Sequence, residues 1–329
     1  MESVDRLIVI GTSAGGFNAL HWLLAKLPAD IKAGVLVVVH MSPNEQALLD
    51  ILSQHTQLPI RYAKELDPIV QGEILIAPPD RHMLVENRKI RIVYGPKENF
   101  ERPSIDPLFR SAAIEFRENV IGVTLPGDME DGVLGMEAVK CHGGITLAQD
   151  PLEAVSPFMV NNRLDHTYVD HWLPVNQLAA KLVSLTNEAV EPSQQDVDWL
   201  ATEDQVSKQR SSGIPGLEAI GAPSPFGCPE CRGVLYEIKQ NGQFHYRCHT
   251  GHSYSAEMLS KSQERLAEEA MWTATRVYDE KEALHLRLAE QAKKSDQPQN
   301  YERHRQEAVK ARQCSCSAAR DDSPSHGLS

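Results

Sequence analysis

Three polar side chains that could cooperate in catalysis follow apolar runs in the first half of the chain. Ser13 lies in the turn that follows the run 7–10, His40 follows the run 35–39, and a loop containing Asp128, Glu130 and Asp131 follows the run 120–125. A serine hydroxyl becomes a nucleophile when a base removes its proton, and a third group must orient that base. The three positions therefore offer a nucleophile, a base and a carboxylate, although serine and aspartate also commonly cap helices at such places.

The elements that must position these side chains read as buried strands and amphipathic helices. Residues 7–10 are apolar and mostly β-branched, and Leu20, Leu23, Leu24 and Leu27 recur at helical spacing after a glycine turn. In a parallel sheet the carboxyl ends of adjacent strands lie along one edge, where open α/β proteins place their sites. Ser13 and His40 are therefore expected to meet at that edge.

The glycine turn 11–16 could instead hold a phosphate. A dinucleotide fingerprint needs a second glycine where this chain has Ser13, and an acidic residue after the next strand where it has His40. No Gly-Lys-Ser/Thr follows, so a phosphate loop is also disfavoured. A nucleotide-binding protein stays as an alternative that equilibrium binding of NAD or ATP would test.

Five segments resemble the catalytic domain of the CheB-type protein-glutamate methylesterases of bacterial chemotaxis: IGTSAGGFNAL, VVVHMSP, ILIAPPDRHMLV, RPSIDPLFRSAA and HGGITLAQDP. They occur in order between about Leu7 and Leu185. The resemblance implies a doubly wound, mostly parallel α/β sheet of the Rossmann-like kind. It also implies hydrolysis of glutamate methyl esters on chemoreceptors with release of methanol, and the same chemistry on glutamine would be deamidation.

The resemblance assigns the catalytic roles to Ser13, His40 and Asp131. The family loop G-M-G-x-D-G reads here Gly127-Asp-Met-Glu-Asp-Gly132, so Asp131 is the matching carboxylate and Asp128 replaces the usual methionine. The chemistry needs no metal or organic cofactor. Because Asp128 would oppose the negative charge of a tetrahedral intermediate unless it points away, a catalytically impaired regulatory protein on the same fold is the alternative function.

Further residues are candidates for supporting roles. Backbone N–H groups of Ala14 and of the loop with Asp128 and Met129 are expected to form the oxyanion site. Arg81 and Ser104 are candidates for contacts on the substrate side, although Ser104 could equally cap the helix that follows it.

A second cluster of chemistry-bearing residues lies in the last third of the chain. Cys228 and Cys231 form a C-x2-C knuckle, a hairpin turns at Asn241-Gly242, and Cys248 and His252 form C-x3-H. These four residues predict a structural zinc site in a zinc-ribbon-like module, with His249 as a rival ligand. A disulfide or a redox pair is the alternative. Loss of the metal is expected to unfold the module and to spare the chemistry at Ser13.

Composition indicates the domain organisation. The predicted domains are a catalytic domain at 1–187, a polar linker at 188–225, the zinc-ribbon-like module at 226–255, an amphipathic helix at 256–294 and a polar, disordered tail at 295–329. Within the catalytic domain, 81–84 and 89–93 read as the arms of a hairpin. In the long helix, the apolar stripe runs through Leu259, Leu266, Ala270, Ala274, Val277, Leu284 and Leu288.

Charge and length limit the partners and the location. With 329 residues, 41% hydrophobic and 24% charged, the chain has ordinary soluble-protein composition, and a net charge of −12 disfavours nonspecific nucleic-acid binding. No apolar run reaches spanning length and no signal peptide is recognised, so a cytoplasmic protein without membrane insertion is expected. Because the first predicted strand begins close to Met1, we expect no receiver domain before it. Control is therefore expected from another chain or from the C-terminal helix, which could also bind a partner.

Overall fold

The protein is described by a computed structural model that covers residues 4–40, 47–125, 131–150, 168–190, 204, 214–240 and 243–320. The chain forms two compact units, Met1–Met258 and Leu259–Ser329. Each unit is described by itself.

A seven-stranded sheet forms the centre of the first unit. Its strands are β1 (Leu7–Thr12), β2 (Gly34–Val39), β3 (Ile60–Tyr62), β4 (Ile74–Ile76), β7 (Val120–Thr124), β8 (Ile145–Gln149) and β9 (His171–Leu173). They lie in the order β3-β4-β2-β1-β7-β8-β9, and every neighbouring pair is parallel. The strand order runs in opposite directions on either side of β1, which is the topology of a doubly wound α/β fold.

Alternate residues of the strands enter two separate cores. In β1, Leu7 and Val9 belong to one buried cluster, and Ile8 and Ile10 belong to another. Because successive side chains of a strand point to opposite faces, both faces of the sheet must be covered. The helices that follow the strands are α1 (Phe17–Lys26), α2 (Ala47–Ser53), α3 (Ile105–Phe116), α4 (Val133–Cys141) and α5 (Val175–Asn187).

Helices α3 and α4 pack on the face that carries Leu7 and Val9, because Phe109 and Met136 belong to the same cluster. Helices α1 and α5 cover the opposite face, with Leu23 and Leu182 in the second cluster. A small antiparallel hairpin of β5 (His82–Glu86) and β6 (Lys89–Val93) lies outside the large sheet. It confirms the predicted hairpin, and its turn residues Asn87 and Arg88 both have positive φ, at 51° and 57°.

A four-stranded antiparallel sheet, which we call the ribbon, ends the first unit. It contains β10 (Ala222–Gly227), β11 (Val234–Gln240), β12 (Gln243–Cys248) and β13 (Ser253–Ser255), in sequence order, and a short helix α6 (Ile214–Glu218) precedes it. The predicted boundary at 226 is therefore too late. Residues 214–225 read as linker from their Gly, Pro and Ser content, but Leu217 is buried against Tyr236 and β10 pairs with β11.

The second unit is a helical hairpin, because its two long helices make antiparallel side-chain contacts. Helix α7 (Ala256–Lys294) matches the predicted range and supplies all but its first three residues to this unit. Helix α8 (Pro298–Arg320) contacts it through the pairs Asp279–Ser315 and His285–His304. No helix among the described residues is long and apolar enough to cross a membrane.

Two predictions about this hairpin are wrong. The tail is helical over 298–320, where Pro298 suits the first helical position and most later residues favour helix. The predicted stripe on α7 also does not form one continuous buried face. Leu259 is buried and Ala274 and Leu288 are half-buried, but Val277 and Leu284 are exposed. Among the described residues of the two helices, the other buried apolar ones are Ala289 and Ala292 on α7 and Ala308 and Ala311 on α8. Small side chains allow two helices to approach closely, which a pattern based on large apolar residues does not detect.

Candidate active site

Ser13 and His40 follow neighbouring strands at the same edge of the sheet. Thr12 pairs with Val39 at the end of the β1–β2 ladder, and the His40 N–H donates to the Thr12 carbonyl at 3.0 Å. Both side chains are almost buried, with 9% of Ser13 and 8% of His40 exposed. The strands therefore bring the predicted nucleophile and base to one place, as their positions in the sequence indicate.

Gly11 in the glycine turn allows a helix to approach the end of β1. A Cβ atom at this position would lie 2.6 Å from Cδ1 of Ile105, well inside van der Waals contact. Ile105 is the first residue of α3. This glycine therefore makes room for the helix that carries the third part of the site.

His40 contacts Asp131 directly. Its Nε2 lies 2.8 Å from Oδ2 of Asp131, so Nε2–H donates to the carboxylate when that nitrogen is protonated. The Nδ1 atom is then the nitrogen available to accept a proton from a nucleophile. Nδ1 lies 3.8 Å from Oε1 of Glu101, whose side chain is 44% exposed. Burial raises the pKa of Glu101.

Asp131 is held at the N-terminus of α3. Its carboxylate accepts hydrogen bonds from the N–H groups of Ile105 at 2.6 Å and Asp106 at 3.2 Å, and from the Ser104 hydroxyl at 2.7 Å. The first amides of a helix are free to bind an anion. Burial alone would raise the pKa of Asp131, but the hydrogen bonds to His40, Ile105 and Ser104 lower it to about 2. The carboxylate is therefore ionised at neutral pH and can orient His40.

A second aspartate, Asp106 in the first turn of α3, binds the N-terminus of α4, just as Asp131 binds the N-terminus of α3. Oδ1 of Asp106 accepts from the N–H groups of Gly132 at 2.9 Å and Gly135 at 2.7 Å, at the start of α4. Burial, followed by the nearby charge of Asp131, raises the pKa of Asp106 well above its usual value. The pKa values of the two carboxylates are thus shifted in opposite directions, and Asp131 is the one whose pKa is lowered.

The other site residues predicted from the sequence differ from one another in burial and in surroundings. Ser104 is fully buried under Asp131, so it has no surface for a substrate, and we replace the predicted substrate contact by a role in holding Asp131. The Arg81 guanidinium lies 4.5 Å from the Tyr94 ring centroid, with 43% of its side chain exposed. Ala14 begins a 3-10 helix directly after Ser13. Asp128 and Met129 lie outside the described residues.

The four predicted metal ligands come together in the ribbon. One ligand atom from each of Cys228, Cys231, Cys248 and His252 lies within 4.8 Å of the others. Nδ1 of His252 faces the cysteines, at 3.4 Å from Sγ of Cys248, while its Nε2 lies 3.3 Å from a Glu230 oxygen. Three sulfurs and one nitrogen in such a group match the donor set of structural zinc sites.

Sequence reasoning missed the segment 98–100, which lies between the active site and the ribbon. Asn99 Nδ2 donates to Asp106 at 2.9 Å and to Asp131 at 3.3 Å, and Glu98 is buried between Arg110 and Arg247. Burial would raise the pKa of Glu98, but Arg247 and Arg110 lower it to about 2. The available signal in the sequence was a charged residue, Arg247, in an arm of the predicted hairpin and directly before the candidate ligand Cys248.

A serine, a histidine and a carboxylate at adjacent ends of parallel strands are the side chains used by serine hydrolases. The model of the family described as CheB methylesterase matches residues 8–182, and the chain belongs to this family.

Curated relatives and one solved structure agree with this membership. A relative from Leptospira interrogans, provisionally named protein-glutamate methylesterase/protein-glutamine glutaminase, is 34% identical over 186 residues, which are 56% of this chain and 96% of the relative. The protein-glutamate methylesterase/protein-glutamine glutaminase of Symbiobacterium thermophilum is 36% identical over 56% of this chain and 51% of its own length. The crystal structure of the Thermotoga maritima CheB methylesterase catalytic domain is 29% identical with a TM-score of 0.52, covering 56% of this chain and 100% of that domain. Apart from Leu7, the family match covers the part of the chain that forms the seven-stranded sheet.

Proposed function

We propose that this protein is a protein-glutamate methylesterase that hydrolyses glutamate methyl esters on chemoreceptors or related signalling proteins. The observation that carries the proposal is the 2.8 Å contact between His40 and the ionised Asp131, at the strand edge where Ser13 also lies. Membership of the CheB methylesterase family and the names of the relatives support the choice of substrate.

The proposed reaction is acyl transfer to Ser13. Nδ1 of His40 takes the hydroxyl proton while Oγ attacks the ester carbonyl, and Asp131 stabilises the imidazolium through Nε2. Collapse of the tetrahedral intermediate breaks the bond to the methoxy oxygen, and the proton on His40 passes to methanol as it leaves. Water then attacks the acyl-enzyme with His40 again as base, which frees the glutamate carboxylate and restores Ser13.

Backbone donors complete the proposed site. The Ala14 N–H follows the nucleophile at the start of a 3-10 helix, where amides are available to stabilise the oxyanion. The same steps on a glutamine side chain would release ammonia, and the names of the relatives include this glutaminase activity. Arg81 is the proposed contact for acidic groups around the methylated residue, because its guanidinium is held over Tyr94 and partly exposed.

We also propose that Cys228, Cys231, Cys248 and His252 bind one structural zinc ion. The Glu230 carboxylate near His252 Nε2 suits the usual arrangement in which a metal-bound histidine donates its other N–H to an oxygen. The Cys231 N–H lies 3.5 Å from Sγ of Cys228, as in a metal-binding knuckle. Since such a site needs reduced thiols, it also supports a location in the cytoplasm.

The helical hairpin is the proposed binding element for a signalling partner. Trp272, Val277, Leu284 and Val309 expose half or more of their surface on it, at 55%, 50%, 56% and 54%. Exposed apolar groups of this size are typical of surfaces that bind other proteins.

A fluorophosphonate probe tests the proposed function. Such probes react with the activated serine of a hydrolase, so we expect one covalent adduct that peptide mapping assigns to Ser13, and methanol release from a methylated receptor by the same preparation. Ser111, a fully buried serine on α3, is the internal control and is expected to stay unmodified. A preparation that neither reacts nor releases methanol contradicts the proposal and favours the regulatory alternative.

A further inference from the structure

One side chain connects the ribbon to the proposed catalytic aspartate. The Asn99 N–H donates to the Ser253 carbonyl at 2.8 Å, and its side-chain oxygen accepts from the Ser255 N–H at 3.1 Å. Its amide nitrogen donates in the other direction, to Asp131 and to Asp106. Asn99 is 3% exposed and has a φ of 51°, a conformation that asparagine tolerates better than most residues. The orientation of Asn99 is thus set jointly by the ribbon and by the two aspartates.

A buried charge cluster fixes the same segment. Arg247 of β12 has no exposed surface and donates to both oxygens of Glu98, at 3.2 and 3.0 Å, and to the Gly251 carbonyl at 3.0 Å. Glu98 is also within 3.3 Å of Arg110, which lies on α3, the helix whose N-terminus holds Asp131. A buried ionic group that loses one partner is destabilised, so the position of Glu98 depends on Arg247 as well as on Arg110.

The part of the ribbon that makes these contacts is the part that holds the proposed metal ligands. Arg247 directly precedes Cys248, and a Cβ on Gly251, next to His252, would lie 3.0 Å from Cγ of Pro96. The Tyr254 ring packs 4.9 Å from the Phe100 ring, and its hydroxyl lies 3.4 Å from Sγ of Cys228. A small module of this kind depends on its metal for folding. Loss of the ion would therefore release Arg247, Ser253 and Ser255 from the catalytic domain.

We infer that the metal site of the ribbon controls the esterase by positioning Asn99 and, through it, Asp131. Arg247 and Asn99 are positioning residues, and the ion takes no part in the chemistry. The inference rests on the proposed function and on the proposed zinc site. It replaces the expectation from sequence that loss of the metal spares the chemistry at Ser13.

The first experiment removes the metal from the full-length protein with dipicolinic acid and follows two signals. We expect the rate of fluorophosphonate labelling at Ser13 to fall about 10- to 100-fold, the range seen when a supporting contact of a site is lost. We also expect faster hydrogen exchange in residues 98–106, whose amides include those bound to Asp131 and Ser253. Both signals should return when Zn²⁺ is added back. If both are unchanged in protein shown to be metal-free, or if the purified protein holds no metal, the inference is wrong.

The second experiment breaks the connection and leaves the metal in place. Arg247→Met keeps a long side chain but removes both donors to Glu98, and we expect kcat to fall about tenfold with an unchanged KM and with one metal equivalent still bound. Arg247→Lys should recover part of kcat because it keeps the charge. Asn99→Gly retains the positive φ and should lower kcat in the same way without disturbing the charge cluster.

Lys239→Met is the matched control, since it makes the same kind of change at an exposed position of the ribbon. It should leave kcat and metal content unchanged. If Arg247→Met and Asn99→Gly both keep full kcat, the positioning role is contradicted. Failure of the unmodified, metal-loaded protein to react at Ser13 would instead contradict the proposed function, and hydrogen exchange in 98–106 would still decide whether the metal orders this segment.

Discussion

At the scale of single residues, the site depends on how Asp131 is held. Its carboxylate receives two backbone amides, the Ser104 hydroxyl and the Asn99 amide, and it contacts one ring nitrogen of His40. An anion with this many donors stays ionised and fixed in a buried place where an unpaired charge would be costly.

Ser104→Ala tests this arrangement. The change removes one donor to Asp131 and leaves the backbone amides in place, so we expect kcat to fall about tenfold with little change in KM. Ser111→Ala is the control, because Ser111 is equally buried, on the helix that Ser104 directly precedes, but bonds to Pro107 and Val85. The control should lower stability and preserve kcat in a steady-state methanol assay. Equal losses of kcat in both variants would mean that Ser104 acts only through stability.

Part of this site could be predicted from the sequence. Ser13 and His40 follow strongly apolar strands, and the parallel sheet brings such positions together. The choice of Asp131 over its acidic neighbours needed the resemblance to a family, because three acids in one loop have the same local pattern. Asn99 could not be predicted, since its partners Ser255 and Asp131 are distant in sequence and no periodic pattern connects them.

At the scale of elements, the close packing of α3 and α4 determines where both aspartates lie. A Cβ on Gly135 would lie 2.6 Å from Cβ of Phe109 and 3.2 Å from Oδ1 of Asp106. The glycine therefore allows α4 to approach the helix that holds Asp131.

Gly135→Ala should accordingly destabilise the fold. We expect a loss of about 1–3 kcal/mol in the free energy of unfolding, typical of overpacking in a dense core, measured by urea denaturation. Gly227→Ala is the control, because a Cβ there meets no atom within 4 Å. A Gly135→Ala protein as stable as the control would contradict the close contact between α3 and α4.

Asp170 provides a pH test at the outer strands. Its carboxylate accepts from the Thr146 N–H at 3.0 Å and hydroxyl at 2.9 Å and pairs with Lys140. Burial would raise the pKa of Asp170, but Lys140 and Thr146 hold it below the usual value. A lowered folded-state pKa gives stability that is present above the unfolded value and is lost as the pH falls through the folded one.

Asp170→Asn should therefore cost about 1 kcal/mol of unfolding free energy at pH 7, and the cost should shrink below about pH 4. Urea denaturation at several pH values measures the difference, with the exposed Asp30→Asn as control. A cost that is independent of pH would show that the ionised carboxylate is not responsible.

Elements differ in how well their sequences predict them. The long strands of the central sheet, the β5–β6 hairpin and α7 have strong patterns. Helix α8 does not, because its buried residues Ala308 and Ala311 are small and most of its other residues are polar. Strand β10 was missed because Pro223 and Pro225 favour a linker, although an edge strand tolerates proline.

At the scale of the whole molecule, the unit Met1–Met258 contains the sheet, the proposed triad and the ribbon. Truncation after Met258 should therefore leave hydrolysis of a small ester within about twofold of the full chain, since compact units can fold alone. Truncation after Asn187 also removes Arg247, and we expect it to lower kcat about tenfold or more. Equal activity of the two truncated proteins would contradict the role of the ribbon. Low activity of both would mean that the helical hairpin is needed for the chemistry.

We propose that Ser13, His40 and Asp131 act as one catalytic unit, and steady-state methanol release by Ser13→Ala, His40→Ala and the double variant measures whether they do. Removing one member of such a unit also removes the contribution of the other members. Each single change should therefore lower kcat by about 10³-fold or more, and the double change should lower kcat little further than either one. Circular dichroism should show that all three proteins remain folded. Single variants that keep substantial activity, or losses that multiply in the double variant, would contradict the claim.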